Sequence, residues 1–150
     1  MSTVADVMTR GVKTLSPSDT VAQAAQAMAE LNVGSIPVCD GRKLRGIVTD
    51  RDITVRVVAL GLDGQTKLSV IMSTDIQWTE EGRDLDEALR EMASRQIRRL
   101  PVVDADKNLV GIVSLGDIAT KGPDDEAGLA ESLSEISEPA KPQGAGQTAG

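Results

Sequence analysis

Two stretches of this 150-residue chain place a hydroxyl and an acid at matched spacing, Gly46-Ile47-Val48-Thr49-Asp50-Arg51-Asp52-Ile53 and Gly111-Ile112-Val113-Ser114-Leu115-Gly116-Asp117-Ile118. A Ser or Thr followed three residues later by an acid is the pattern with which helices open. The hydroxyl accepts from an amide of the first turn and the acid reaches back to the amide of the hydroxyl residue. The same arrangement has a second use. An opening turn presents unpaired N–H groups to an anion such as phosphate, and a carboxylate seated there can accept both hydrogens of a ribose diol. The sequence leaves both uses open.

Cations stand near one octet more than the other. Arg98 and Arg99 precede Leu100-Pro101, whereas Gly34 and Ser35 precede the matching Ile36-Pro37; Arg51 lies between Thr49 and Asp52, where the other octet has Leu115 and Gly116. Arginine suits phosphate because its planar fork offers two donors at once; the competing reading is a surface pair bonded to nearby acids. Lys13 is a weaker candidate. A flat base would need an aliphatic slot, with Ile36-Pro37 and Leu100-Pro101 as walls and Val12, Ile76 or Trp78 opposite. Proline in a strand removes one N–H from the ladder and leaves nearby carbonyls for an exocyclic amino group. The plainer reading is that these dipeptides start core strands.

Composition removes several function classes. The chain has no His, Phe or Tyr, one Trp and one Cys. No Ser-His-Asp or Cys-His nucleophile pair can be assembled, a transition-metal site loses its commonest ligand, and stacking platforms for single-stranded nucleic acid cannot be built. A net charge of -7 also opposes a phosphate-backbone partner. Most of that charge lies in residues 123 to 150, where six acids stand against Lys141. Apolar runs such as Val57 to Leu60 are far shorter than the roughly 20 residues a bilayer span needs, and the start, MSTVADVMTRG, lacks a signal-peptide pattern, so the cytoplasm is the expected location. Cys39 reads as a small buried hydrophobe, and Trp78 is expected at a repeat interface or cleft rim.

The octets belong to a longer duplication. A shift of 64 places Val7-Met8-Thr9 on Ile71-Met72-Ser73, Thr20 on Asp84, Met28 on Met92, and Ile36-Pro37-Val38 on Leu100-Pro101-Val102; one extra turn residue then makes it 65. Short extended pieces are expected at 11–15 and 75–78. Apolar residues at 21, 24, 25 and 28, and at 85, 88, 89 and 92, predict an amphipathic helix in each copy, opened by Thr20 with Gln23 and by Asp84 with Glu87. A hairpin follows (35–39 with 44–49; 99–103 with 109–114), then a second helix from Asp50 and from Leu115, although the β-branched run from Ile53 to Val58 by propensity alone reads as strand. The fold class is α+β, with tandem β-α-β-β-α units over 1–62 and 63–122 joined at Asp63-Gly64-Gln65. One unit of about 55 residues buries little apolar area, so two copies packed sheet to sheet with pseudo-twofold symmetry are expected. Residues 123–150 read as an acidic, Gly/Pro/Ala-rich tail with a candidate short helix at 126–136.

Tandem units with an apolar-Pro-Val strand start and a Gly-Ile-Val-(Thr/Ser)-x-x-Asp-Ile close resemble a pair of CBS domains, a Bateman module, and most of all the small stand-alone bacterial pairs of the hypoxic-response type. The resemblance covers residues 1 to about 121. It implies a non-enzymatic regulatory module that binds AMP, ADP, ATP or an S-adenosylmethionine-like molecule in clefts between the repeats, forms a homodimer and signals to an unidentified protein partner; the composition already argues against nucleic acid, a membrane span and a metal site. The nucleotide-binding residues it implies are Ile36, Pro37, Thr49, Arg51 and Asp52 in the first copy and Arg98, Arg99, Leu100, Pro101, Ser114 and Asp117 in the second. An apolar face of Ile53, Val57 and Leu60 would favour the dimer. The alternative is a dimeric interaction or scaffold protein whose octets are only helix caps and whose tail is a docking arm.

Overall fold

A computed structural model describes residues 2–121; the candidate helix at 126–136 lies outside them. In chain order the elements are α1 (Val4–Val7), α2 (Val21–Leu31), β1 (Ser35–Asp40), β2 (Lys43–Thr49), α3 (Asp50–Ile53) continuing as a π turn (Thr54–Val58), α4 (Leu68–Ile71), β3 (Thr79–Glu80), α5 (Leu85–Arg95), β4 (Arg99–Val103), β5 (Leu109–Ser114) and α6 (Leu115–Lys121). The β-branched run after Asp52 is therefore helical. The extended pieces expected at 11–15 and 75–78 shrink to a single parallel bridge from Leu15 to Val38 and to β3, which pairs parallel with β4.

Both hairpins carry the same irregularity. β1 and β2 are antiparallel with Val38 opposite Gly46, and β4 and β5 are antiparallel with Val102 opposite Gly111. In each the register slips one residue further on, between Val38 and Cys39 and between Val102 and Val103. Helices α2 and α5 also end alike. Asn32 and Gln96 adopt left-handed φ of 54°, and the next residue donates its amide to the carbonyl five back, Val33 to Met28 and Ile97 to Met92, while its own side chain packs on the core. This is the helix stop in which a hydrophobic residue beyond the left-handed position folds back on the last turn.

In space the chain divides differently from its repeats. One compact unit takes its described residues from 2–12 and 77–121, the other from 13–76. Each repeat has given its leading segment to the other. Val4, Val7 and Met8 are buried with Leu85, Ala88 and Met92 of α5, Leu100 and Val102 of β4, and Val113 of β5. Their sequence counterparts Leu68 and Ile71 are buried with Val21, Ala24 and Met28 of α2, Ile36 and Val38 of β1, and Val48 of β2. The stretch around Asp63-Gly64-Gln65 accordingly stays with the first octet's unit, where the carbonyls of Gly64 and Thr66 accept from the amides of Ala22 and Val21 at the start of α2.

Two faces differ from expectation. Ala25 of α2 is exposed and Ala27 is buried in its place. After α3 the π turn widens the helix, and Val57 points into the core while Ile53 packs beside it. Of the expected apolar face only Leu60 is exposed; it is joined by Val55, Val58 and Leu62, with Val58 and Leu60 both 69% exposed.

The glycine that opens each octet has a steric reason. The leading segment crosses β2 or β5 at this point and pairs with it through main-chain bonds: Ser73 with Ile47 (2.9 Å each way), and Thr9 with Ile112 (2.8 and 3.0 Å). A Cβ on Gly46 would lie 2.5 Å from the Ser73 carbonyl oxygen; one on Gly111 would lie 2.7 Å from that of Thr9 and 2.9 Å from Met8 Sδ. Gly46→Ala and Gly111→Ala should each destabilise the protein by about 1–3 kcal/mol in urea unfolding. Gly82→Ala, whose Cβ would meet nothing within 4 Å, should change stability by less than about 0.5 kcal/mol.

Candidate functional site

Each octet builds a complete capping box. At the start of α3 the amide of Asp52 donates to Thr49 Oγ1 (3.0 Å) and the amide of Thr49 donates to Asp52 Oδ2 (2.9 Å). At the start of α6 the amide of Asp117 donates to Ser114 Oγ (3.1 Å) and that of Ser114 to Asp117 Oδ2 (3.2 Å). The analogous box expected at Asp84 and Glu87 is only half formed. The amide of Glu87 donates to Asp84 Oδ2, but the Glu87 carboxylate pairs with Arg83 at 3.8 Å. The reciprocal arm there would bring two carboxylates together, which like-charge repulsion opposes.

Asp52 is 8% exposed and Asp117 is half-buried. Their outer oxygens meet different partners. Asp52 Oδ1 faces Arg56 Nε at 3.8 Å, whereas Asp117 accepts from the hydroxyl of Thr9, at 3.2 Å to Oδ1 and 3.3 Å to Oδ2. Neither Thr9 nor Arg56 belongs to the octet pattern that marks the two acids. Both left a trace in the sequence: Thr9 aligns with Ser73 as a second repeated hydroxyl, and Arg56 stands at i+4 from Asp52, where a helix brings opposite charges together.

The other expected residues gather around these two helix starts, each within its own unit. Ser35 is opposite Thr49 and Ile36 opposite Val48; Arg99 is opposite Ser114 and Leu100 opposite Val113. Ile36, Pro37, Leu100 and Pro101 are buried, and the first and third are core residues, so as a flat slot they offer backbone and ring edges more than open apolar faces. The Pro37 carbonyl is taken, accepting from the Leu15 amide at 3.1 Å. Arg98 and Arg99 are exposed, and the Arg98 carbonyl accepts from the Leu115 amide (3.1 Å) as the Gly34 carbonyl accepts from Asp50 (2.9 Å). The basic pair therefore stands at the strand entry that abuts the α6 start. Arg51 is exposed on the first turn of α3.

A match to the family model described as "CBS domain" falls on residues 4–59 and again on 68–123. The chain belongs to the CBS-domain family. As a CBS pair it is 48% identical over 127 residues to the CBS domain-containing protein YhcV of Bacillus subtilis, covering 85% of this chain and 90% of that protein. It is 37% identical over 126 residues to Hypoxic response protein 1 of Mycobacterium tuberculosis, covering 83% and 87%. Among solved structures, Hypoxic Response Protein I with two coordinated zinc ions superposes with a TM-score of 0.72 at 36% identity, over 81% of this chain and 100% of that one. CBSX2 in complex with AMP gives 0.70 at 28% identity, over 80% and 95%. The CBS pair of protein MJ0100 with 5-methylthioadenosine and S-adenosyl-L-methionine gives 0.66 at 26%, over 80% and 94%. The present CBS pair contains no histidine, and no three of its described Cys, Asp and Glu residues gather into a possible metal cluster.

Two further groups in the CBS pair bear on the site question. Burial pushes the Cys39 thiol up from its ordinary value, as suits a core residue and not a nucleophile. Trp78, 38% exposed with Lys107 Nζ 5.3 Å from its ring centroid, rims a shallow cavity of about 410 Å³ with Thr79, Glu80, Gly82 and Arg83. Thr79 occupies the place that Leu15 holds in the other repeat, is 2% exposed, and its Oγ1 has no hydrogen-bond partner. A buried hydroxyl without a partner carries the full cost of its lost hydration. Thr79→Val, nearly the same shape, should therefore raise stability by about 1 kcal/mol in thermal or urea unfolding.

Proposed function

We propose that this CBS pair is a non-enzymatic regulatory module that takes an adenosine-containing ligand at its octets. The observation that supports it most is the pair of helix starts at Thr49–Asp52 and Ser114–Asp117, each with a carboxylate that uses one oxygen for its own main chain and turns the other to a side-chain donor. A ribose diol can replace such a donor; the amides of Asp50, Arg51, Asp52, Leu115 and Asp117 already have acceptors, so a phosphate would rest on the nearby arginines. The exposed Arg98 and Arg99 stand beside the α6 start, whereas the first octet has the exposed Arg51 and an Arg56 already engaged with Asp52 and the Ile71 carbonyl, so the second octet is the stronger site for an anionic ligand. The ligands held by CBSX2 and MJ0100, AMP and S-adenosyl-L-methionine with 5-methylthioadenosine, belong to this chemical class.

Signalling to a protein partner and assembly as a homodimer are part of the same proposal. The exposed Val55, Val58, Leu60 and Leu62 support a self-association surface. A second reading, an interaction module with no nucleotide, is favoured by the fact that both capping boxes are complete without a ligand.

Calorimetric titration with AMP, ADP, ATP and S-adenosylmethionine separates the two. Binding is expected at micromolar concentrations, and if none of the four binds below about 1 mM, where the free energy is only about -4 kcal/mol, the interaction module stands. Asp117→Ala should weaken binding at least about tenfold and also cost about 1 kcal/mol of stability as a lost cap partner. Asp84→Ala, which removes a cap from α5 alone, should cost similar stability and leave affinity unchanged.

A further inference from the structure

In both units the octet acid is tied to the leading segment that crosses its sheet, but by different chemistry. In one, the Thr9 hydroxyl donates directly to Asp117. In the other the link runs through a guanidinium. Arg56 faces Asp52 with Nε at 3.8 Å, and its Nη1 donates to the Ile71 carbonyl at 3.0 Å. Ile71 is the last residue of α4, so that carbonyl is among those a helix end leaves unfilled. Ile71 is itself buried, and Ser73 two residues on is paired in both directions with Ile47, beside Gly46. The segment 68–73 is thus anchored at its end by core burial, by a main-chain pair and by Arg56.

Arg56 reaches this position from the π turn Thr54–Val58, in which the Ala59 amide donates to the Thr54 carbonyl at 2.9 Å. Single π turns are uncommon and cluster where a side chain must be placed off the ordinary helical spacing. The described part of the matching helix, α6 (Leu115–Lys121), is α-helical. The wide turn keeps Val57 in the core while Arg56, next to it, spans Asp52 and α4.

We propose that Arg56 is a positioning residue that latches segment 68–73 to Asp52, so that whatever takes the outer oxygen of Asp52 competes with the latch and loosens that segment. The link between Arg56, Asp52 and the segment stands on the geometry alone; its response to a ligand rests on the function proposed above. A diol seated on the outer oxygen of Asp52 takes the place of the Arg56 guanidinium.

Amide hydrogen exchange of Met72 and Ser73 tests the latch without a ligand. Asp52→Asn, which keeps a carbonyl for the Thr49 amide, and Arg56→Gln should each accelerate exchange there by roughly threefold to tenfold, and the double variant should do no more than either alone. Arg45→Gln, which removes the exposed pair of Arg45 with Asp40 in the same unit, should leave these amides unchanged. Unchanged exchange in Arg56→Gln, or additive effects in the double variant, would overturn the latch. The ligand arm uses adenosine titrated into Asp117→Asn and into Asp117→Asn with Arg56→Gln. The second should bind roughly threefold to tenfold tighter, and equal or weaker binding overturns the competition. If neither adenosine nor any of AMP, ADP, ATP and S-adenosylmethionine binds the unaltered protein, the functional proposal fails and the exchange cycle still decides the latch.

Discussion

The structure depends on one close crossing of backbone over backbone. Where the carbonyl of Ser73 or Thr9 passes the octet glycine, there is no room for a side chain, and the two strands of main chain bond in both directions. That approach seats Leu68 and Ile71 in one core and Val4 and Val7 in the other. It also carries the Thr9 hydroxyl to Asp117 and the Ile71 carbonyl to Arg56. A glycine at the head of the octet and a carboxylate at its end are thus two parts of one device, the first admitting the leading segment and the second receiving a contact from it.

The hydroxyl and acid inside the octet serve structure whether or not a ligand is present. They satisfy the first amides of a helix that would otherwise begin with unmet donors. The second carboxylate oxygen of each acid meets a side-chain donor, Arg56 at Asp52 and Thr9 at Asp117. The duplicated scaffold then differs between its copies: Arg56, on a π turn, faces Asp52, the Thr9 hydroxyl donates to Asp117, and an arginine pair stands at only one strand entry. Duplication supplies the geometry twice, while the substitutions decide what each copy can hold.

Much of this was legible in the residues. Apolar spacing located α2 and α5, the repeat shift located the hairpins, and Thr49 with Asp52 and Ser114 with Asp117 marked two helix starts whose capping boxes are complete. Local rules also separated helix from strand after Asp52, because the repeat outweighed β-branched propensity. They failed where a side chain had a choice of partner. Glu87 left the Asp84 cap for Arg83, and the helix after Asp52 widened, sending Val57 inward and leaving Val55 and Val58 outside.

The sequence by itself determined the repeated unit, the order of its elements and the residue types at each helix start, because these follow from local spacing and capping that any chain obeys. Only the tertiary structure decided that the leading segments trade places and that Thr9 and Arg56 meet the octet acids. Both rest on contacts between residues far apart in sequence, and the two leading segments are so alike, Val7-Met8-Thr9 and Ile71-Met72-Ser73, that their pattern fits either core equally well.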